Sequence, residues 1–211
     1  MTPTGVGGNA IDPDKLQELE EKFDPEMRFR PTLPPATTIV KWLLIALSLF
    51  HYYTAGFGLL REATHRGVHM AFVLGLVFVV FARRKPRDGD PPIRSSWLAP
   101  GGVPLVDWLL GAAIATSALY IPYVFDDLAF RVGNPLAIDV AMGSMMIVVL
   151  LEATRRAMGW PLPAIALVFM VYALAGPVFP GLLQHAGASW TQLVNHQYLT
   201  SQGVYGIAVG V

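Results

Sequence analysis

The chain has 211 residues, of which 54% are hydrophobic and only 14% charged, with acidic and basic side chains in balance. A charged share so far below the roughly 25% usual in soluble domains argues against an ordinary soluble fold. Zero net charge removes the electrostatic case for a nucleic-acid partner, and the absence of cysteine excludes disulfides, thiolate chemistry and cysteine-held metals.

Residues 1–35 form a polar N-terminal segment. Asp12-Pro13-Asp14 reads as a helix start, with an acid at the cap, proline in the first turn and a second acid behind it. Leu16, Leu19 and Phe23 then place an apolar stripe on a charged background. That pattern predicts either a short docking helix or a marginal surface helix that frays. Asp24-Pro25 ends it, and Pro31, Pro34 and Pro35 stiffen the connector that follows. The segment lacks the charged start and short apolar core of a cleavable leader, so the first span is expected to be its own insertion signal.

Five apolar stretches follow, at residues 40–60, 67–82, 103–125, 135–151 and 161–179. A helix of about 17–25 apolar residues crosses a hydrocarbon core of about 30 Å. The expected fold is therefore an all-α integral membrane protein with about five transmembrane helices. The second stretch is short, since 67–82 rises only about 24 Å at about 1.5 Å per residue. Trp42, Trp108 and Trp160 stand where spans would enter the interface. Gly176-Pro177 and Pro180-Gly181 stop the fifth helix. Ser189-Trp190-Thr191-Gln192 matches a capping box. Trp190, Leu193, Val194 and Tyr198 behind it share a face, which predicts a short interfacial helix. Residues 203–211 are apolar and glycine-rich and read as the start of a sixth span, which makes a fragment of a longer protein the expectation.

Charge sets an orientation. If the N-terminus is cytoplasmic, twelve of the 15 lysines and arginines fall on that side, among them Arg83, Arg84 and Lys85, and only Arg61, Arg66 and Arg131 fall on the other. The positive-inside rule therefore predicts a cytoplasmic N-terminus.

Groups able to carry chemistry are few. His51 is the ionisable residue nearest the middle of a span. It reads as a proton or ligand group, or more simply as a neutral histidine hydrogen-bonded in the bundle or near Tyr52 and Tyr53. His65 and His69, four apart, share a helix face, but a pair without a carboxylate is a weak metal signal. Asp107 and Asp139 fall in the first turns of their spans, where an acid complements the helix dipole, a simpler role than ion binding. Asp126, Asp127 and Arg131 read as a solvated loop. Glu152 stands three and four residues before Arg155 and Arg156 and is expected to pair with them. No nucleophile elbow, phosphate loop or metal spacing is present. The chain is not expected to be an enzyme, and no catalytic, cofactor-binding or metal-binding residue is assigned. Substrate-binding residues remain unassigned.

Three strings resemble the fused permeases of tripartite ATP-independent periplasmic (TRAP) transporters, the TAXI class. They are Asp24-Pro25-Glu26-Met27-Arg28-Phe29-Arg30, Leu49-Phe50-His51-Tyr52-Tyr53-Thr54-Ala55-Gly56-Phe57-Gly58, and Leu150-Leu151-Glu152-Ala153-Thr154-Arg155-Arg156-Ala157-Met158-Gly159-Trp160. The run from His196 to Gly206 is similar to that family's approach to its large transport domain. The resemblance implies a four-helix scaffold over residues 36–158 and the beginning of a transport domain over 159–211. It also implies a bacterial inner-membrane location, sodium as coupling ion, and a periplasmic substrate-binding protein that delivers a small organic anion. The rest of the large transport domain would be a further partner. The family's sodium and substrate sites lie mainly outside this stretch, so no binding residue is carried over. A membrane assembly subunit without transport of its own is the alternative expectation.

Overall fold

In an apolar surrounding a helix satisfies its backbone groups within its own segment, and the apolar stretches of this chain are helical. The computed structural model describes residues 29–58, 60–84, 93–206 and 209. The helix anticipated near residues 12–23 and the loop residue Lys85 lie outside these. In chain order the helices are α1 (Ala36–Phe57), α2 (Glu62–Val80), α3 (Leu105–Tyr123), α4 (Phe125–Arg131), α5 (Ala137–Met158), α6 (Pro161–Leu174) and α7 (Trp190–Val194), which continues into a wide turn over Asn195–Leu199. Four of them, α1, α2, α3 and α5, are long and apolar enough to cross a membrane. The chain is thus an all-helical protein of a kind compatible with a bilayer.

The four long helices run alternately up and down. At one end the start of α1, the end of α2 and the segment before α3 share a small core of Ala36, Val79 and Val103. At the opposite end Gly67 of α2 meets Pro122 of α3, and Tyr120 of α3 meets Asp139 of α5. The main core lies between α2, α3, α5 and α7, around Phe78, Ile114, Ala118, Met146, Val194 and Tyr198. α1 stands apart: only 6% of its apolar window is buried, against 39% for α3.

Small residues bring α2 and α3 together. A Cβ built on Gly111 would lie 2.9 Å from the Gly75 carbonyl oxygen, and one on Gly67 would lie 2.9 Å from the Ala118 carbonyl oxygen. Backbones this close gain dispersion contact along their length, which is how helices associate where lipid removes the hydrophobic drive.

Several stretches differ from the sequence expectation. α2 begins at Glu62, not near Gly67, and has 19 residues. Glu62 pairs with Arg66 one turn on, so the charged residues that seemed to end the span extend the helix instead. The fifth stretch is shorter than expected. α6 has 14 residues and ends at Leu174. Pro177 cannot continue the ladder, and the chain folds back: the His185 N–H donates to the Gly176 carbonyl at 3.2 Å and the Ala188 N–H to the Ala173 carbonyl at 2.8 Å. Of residues 203–211, where the start of a sixth span is expected, the described residues 203–206 form turns, with the Val204 N–H donating to the Gln197 carbonyl at 2.8 Å. The capping box at Ser189 forms, but the apolar face of α7 is covered by protein: Leu193, Val194 and Tyr198 are buried against the bundle, and the Trp190 indole donates to Ser144 Oγ at 2.8 Å.

The glycine seam makes a direct prediction. Gly111→Val should destabilise the bundle by about 1–3 kcal/mol, because backbone stands where the new side chain must go. Gly56→Ala, with nothing within 4 Å of the new Cβ, should be neutral or slightly stabilising. Thermal unfolding in detergent, followed by tryptophan fluorescence, separates the two.

Candidate functional site

Asp107 is the centre of a buried charge cluster. It sits in the first turn of α3 and is 4% exposed. Its Oδ2 accepts from Arg30 Nη2, and its Oδ1 lies 2.8 Å from Arg156 Nη1. Arg30 reaches it because the segment before α1 is pinned beside the end of α2. The Arg30 N–H donates to the Val80 carbonyl at 2.8 Å, Phe29 stacks on Phe81 at 5.2 Å, and the Leu33 N–H donates to the Gly101 carbonyl at 2.9 Å. Gly101 has φ of 65°, and a Cβ there would strike Ala36, so glycine is required where the chain passes this closely.

Arg156, in the last turn of α5, is 2% exposed. Its guanidinium lies over the Phe78 ring at 4.8 Å, and its Nε donates to Glu152 Oε1 at 2.8 Å. Arg155 grips the same carboxylate through Nε and Nη2, both at 2.7 Å, and lies over Trp160 at 5.5 Å. Three arginines thus face two carboxylates, and Nη1 of Arg30 is buried without a hydrogen-bond partner. The Arg156–Asp107 contact is an ion pair without hydrogen-bond alignment.

The opposite end carries a second cluster around Asp139, which is fully buried. Its Oδ2 caps α5 by accepting from the Leu136 N–H at 2.8 Å. Its Oδ1 accepts from the Tyr120 hydroxyl at 2.5 Å and from Arg131 Nη1 at 3.1 Å. Arg131 also holds Asp127 at 3.0 Å, and Arg61 reaches Asp126 at 2.6 Å. Asp126, Asp127 and Arg131 therefore belong to helix α4, not to a loop. Arg131 is a structural partner of Asp139, whereas Asp126 stays exposed as anticipated.

Beside this cluster Tyr198 and Tyr205 fasten the C-terminal turns to α3. The Tyr198 hydroxyl donates to the Ser117 carbonyl at 2.6 Å and the Tyr205 hydroxyl to the Ala118 carbonyl at 2.7 Å. Burial pushes both phenols up from their ordinary range, so both stay protonated and remain donors. Arg66 Nη1 adds a bond to the Tyr205 carbonyl at 2.5 Å.

The histidines are brought together across two helices. His51 of α1 lies between His65 and His69 of α2, with ring nitrogens 3.4 Å and 2.9 Å away. Tyr52 and Tyr53 point outward and are exposed. Among the described residues no group of three His, Asp or Glu side chains is arranged to hold a metal ion. An apolar cleft of about 780 Å³ opens between α5, α6 and α7, lined by the polar Gln192, His196 and Gln197 and by apolar residues such as Leu151, Phe169 and Met170.

The pairing of Glu152 with Arg155 and Arg156 follows from spacing. The convergence of Arg30, Asp107 and Arg156 does not, because 77 residues separate Arg30 from Asp107. Their residue types were the available signal: a lone acid at the start of one apolar helix and a basic pair at the end of another must find partners. No protein-family model, curated protein or solved structure matches the chain.

Removing one member of the buried cluster should be severe. Asp107→Asn leaves Arg30 without its carboxylate and Arg156 with Glu152 alone, and should cost about 3–5 kcal/mol. Asp126→Asn, on an exposed carboxylate, should leave the unfolding midpoint unchanged. Denaturant unfolding in mixed micelles reads both.

Proposed function

We propose that the chain is the scaffold portion of a membrane permease for small organic anions. In this reading a separate exported protein binds the substrate, and a sodium gradient drives uptake. The four long helices cross the inner membrane with the N-terminus in the cytoplasm, and α6 carries the chain back toward the periplasmic side and, with the turns after it, begins the transport portion.

One observation supports this reading above the others. Two of the strings that carry the resemblance to TRAP permeases meet in space, where Arg30 of the first and Arg156 of the third share Asp107. A buried ion cluster that ties one end of a helix bundle suits a rigid scaffold against which another domain moves. The charge asymmetry along the chain supports the orientation: Arg30, Arg83, Arg84, Arg155 and Arg156 all fall at the Asp107 end.

Two experiments test the proposal. Reporter fusions after Arg84 and Met158 should read cytoplasmic, and those after Thr64 and Gly187 periplasmic. A periplasmic signal at Arg84 contradicts the orientation. Deletion of the gene in its own cell should abolish sodium-dependent uptake of a labelled carboxylate that the exported binding protein delivers. Unchanged uptake of every anion tried, with the chain recovered in a stable membrane complex, would favour an assembly subunit.

A further inference from the structure

His65, His51 and His69 form a chain of three imidazoles where the last turns of α1 meet the first turns of α2. His51 Nε2 lies 2.9 Å from His69 Nδ1, and His51 Nδ1 lies 3.4 Å from His65 Nε2. The central ring thus faces its two neighbours with opposite nitrogens. Their lone pairs do not converge on one point, which is why the trio is not a metal cage.

Such a chain is suited to holding protons. Each contact needs one N–H and one lone pair. Three neutral imidazoles supply three ring protons: one in each contact and one on an outer nitrogen, either His65 Nδ1 or His69 Nε2. One excess proton fills the other outer nitrogen and breaks nothing, and the charge strengthens the contacts. A second excess proton can only enter a contact, where two N–H groups then face each other and two like charges crowd three rings.

The surroundings offer that charge no relief. On α1 the chain is flanked by Phe50, whose ring centroid lies 5.4 Å from both His51 and His65, and by the exposed Tyr52 and Tyr53. On α2 the neighbouring charges, Glu62 and Arg66, pair with each other, and Arg66 also holds the Tyr205 carbonyl. Arg61 is engaged by Asp126. From the C-terminal turns and α5, Val204, Val209 and Leu150 face His69 across a small apolar cavity. Among the described residues no carboxylate pairs with any of the three histidines, and their two contacts are the side-chain hydrogen bonds that join α1 to α2. α1 is otherwise barely buried.

We propose that the His65–His51–His69 chain is a proton-operated latch. It holds the end of α1 on α2 while it carries one excess proton or none, and releases it on taking a second. The inference does not depend on the transport reading.

The chain has no cysteine, so Phe57→Cys and Tyr123→Cys place two unique spin labels on exposed positions at the ends of α1 and α3. Pulsed dipolar spectroscopy in nanodiscs should show one short distance near pH 8 and a second, longer one as the pH falls to about 5, the window in which histidine gains charge. The ratio of long to short should rise by up to about tenfold per pH unit, the limit for one linked proton. With His51→Gln added, this pH dependence should vanish whichever distance the variant adopts. A wild-type distribution that ignores pH, or a His51→Gln variant that still responds, overturns the latch. Imidazole ¹⁵N spectra of the unaltered chain need no variant: the three resonances should titrate as a coupled set, apart from His185 and His196. Three independent titrations overturn the proposal. So does stoichiometric capture of all three rings by zinc near pH 8, which would make the trio a metal site.

Discussion

Burying one carboxylate between two guanidiniums organises the charged end of this bundle. Asp107 is the point where the segment before α1, the start of α3 and the end of α5 are joined, through Arg30 and Arg156. The arrangement is costly to assemble, because ions lose hydration that their mutual attraction only partly returns. Once assembled it is selective. A shifted register of α3 or α5 would leave a charge alone in an apolar setting, which costs more still. The cluster therefore acts less as glue than as a constraint on which packing is allowed, with Phe78 and Glu152 completing the shell around Arg156.

The rest of the bundle follows from contact at short range. α2 and α3 approach through glycine and alanine, and their backbones meet at Gly75 and Gly111. α5 joins them through Ser117, whose hydroxyl donates to the Met142 carbonyl at 2.5 Å, and through Asp139, which accepts from the Tyr120 hydroxyl of α3 at 2.5 Å. α7 and the turns after it are fixed by two tyrosine hydroxyls on carbonyls of α3. α1 has none of these. Its start is packed beneath Val79 and Val103, and its far half is joined to α2 by imidazoles alone among hydrogen-bonding side chains of the described residues. The long helix with the least burial is thus held by the groups most sensitive to protons.

Much of this was legible in the sequence, and the reason is periodicity. Apolar runs located α1, α2, α3 and α5, and local spacing found the capping box at Ser189 and the pairing of Glu152 with two arginines. Errors arose where local signals conflicted with neighbours. Charge at Glu62 and Arg66 resembles the end of an apolar span, yet an acid and a base four apart support a helix turn. Pro177 was recognised as a stop, but the distance the chain travels back along α6 depends on hydrogen bonds from His185 and Ala188 to carbonyls up to 15 residues earlier. The polar clusters were illegible for a different reason. Arg30 with Asp107, and His51 with the pair on α2, are contacts between helices, set by packing angles that a single sequence does not display.

The central claim is that Asp107 and Arg156 act as one unit. A double-mutant cycle on Asp107→Leu and Arg156→Met, measured by reversible unfolding in micelles, isolates their coupling. The account predicts that the double variant is more stable than the sum of the two single losses allows, because the Asp107 contact that Arg156→Met removes is already gone once Asp107 is Leu. Losses that simply add would show that the two residues act independently, and the constraint proposed for this end of the bundle would be contradicted.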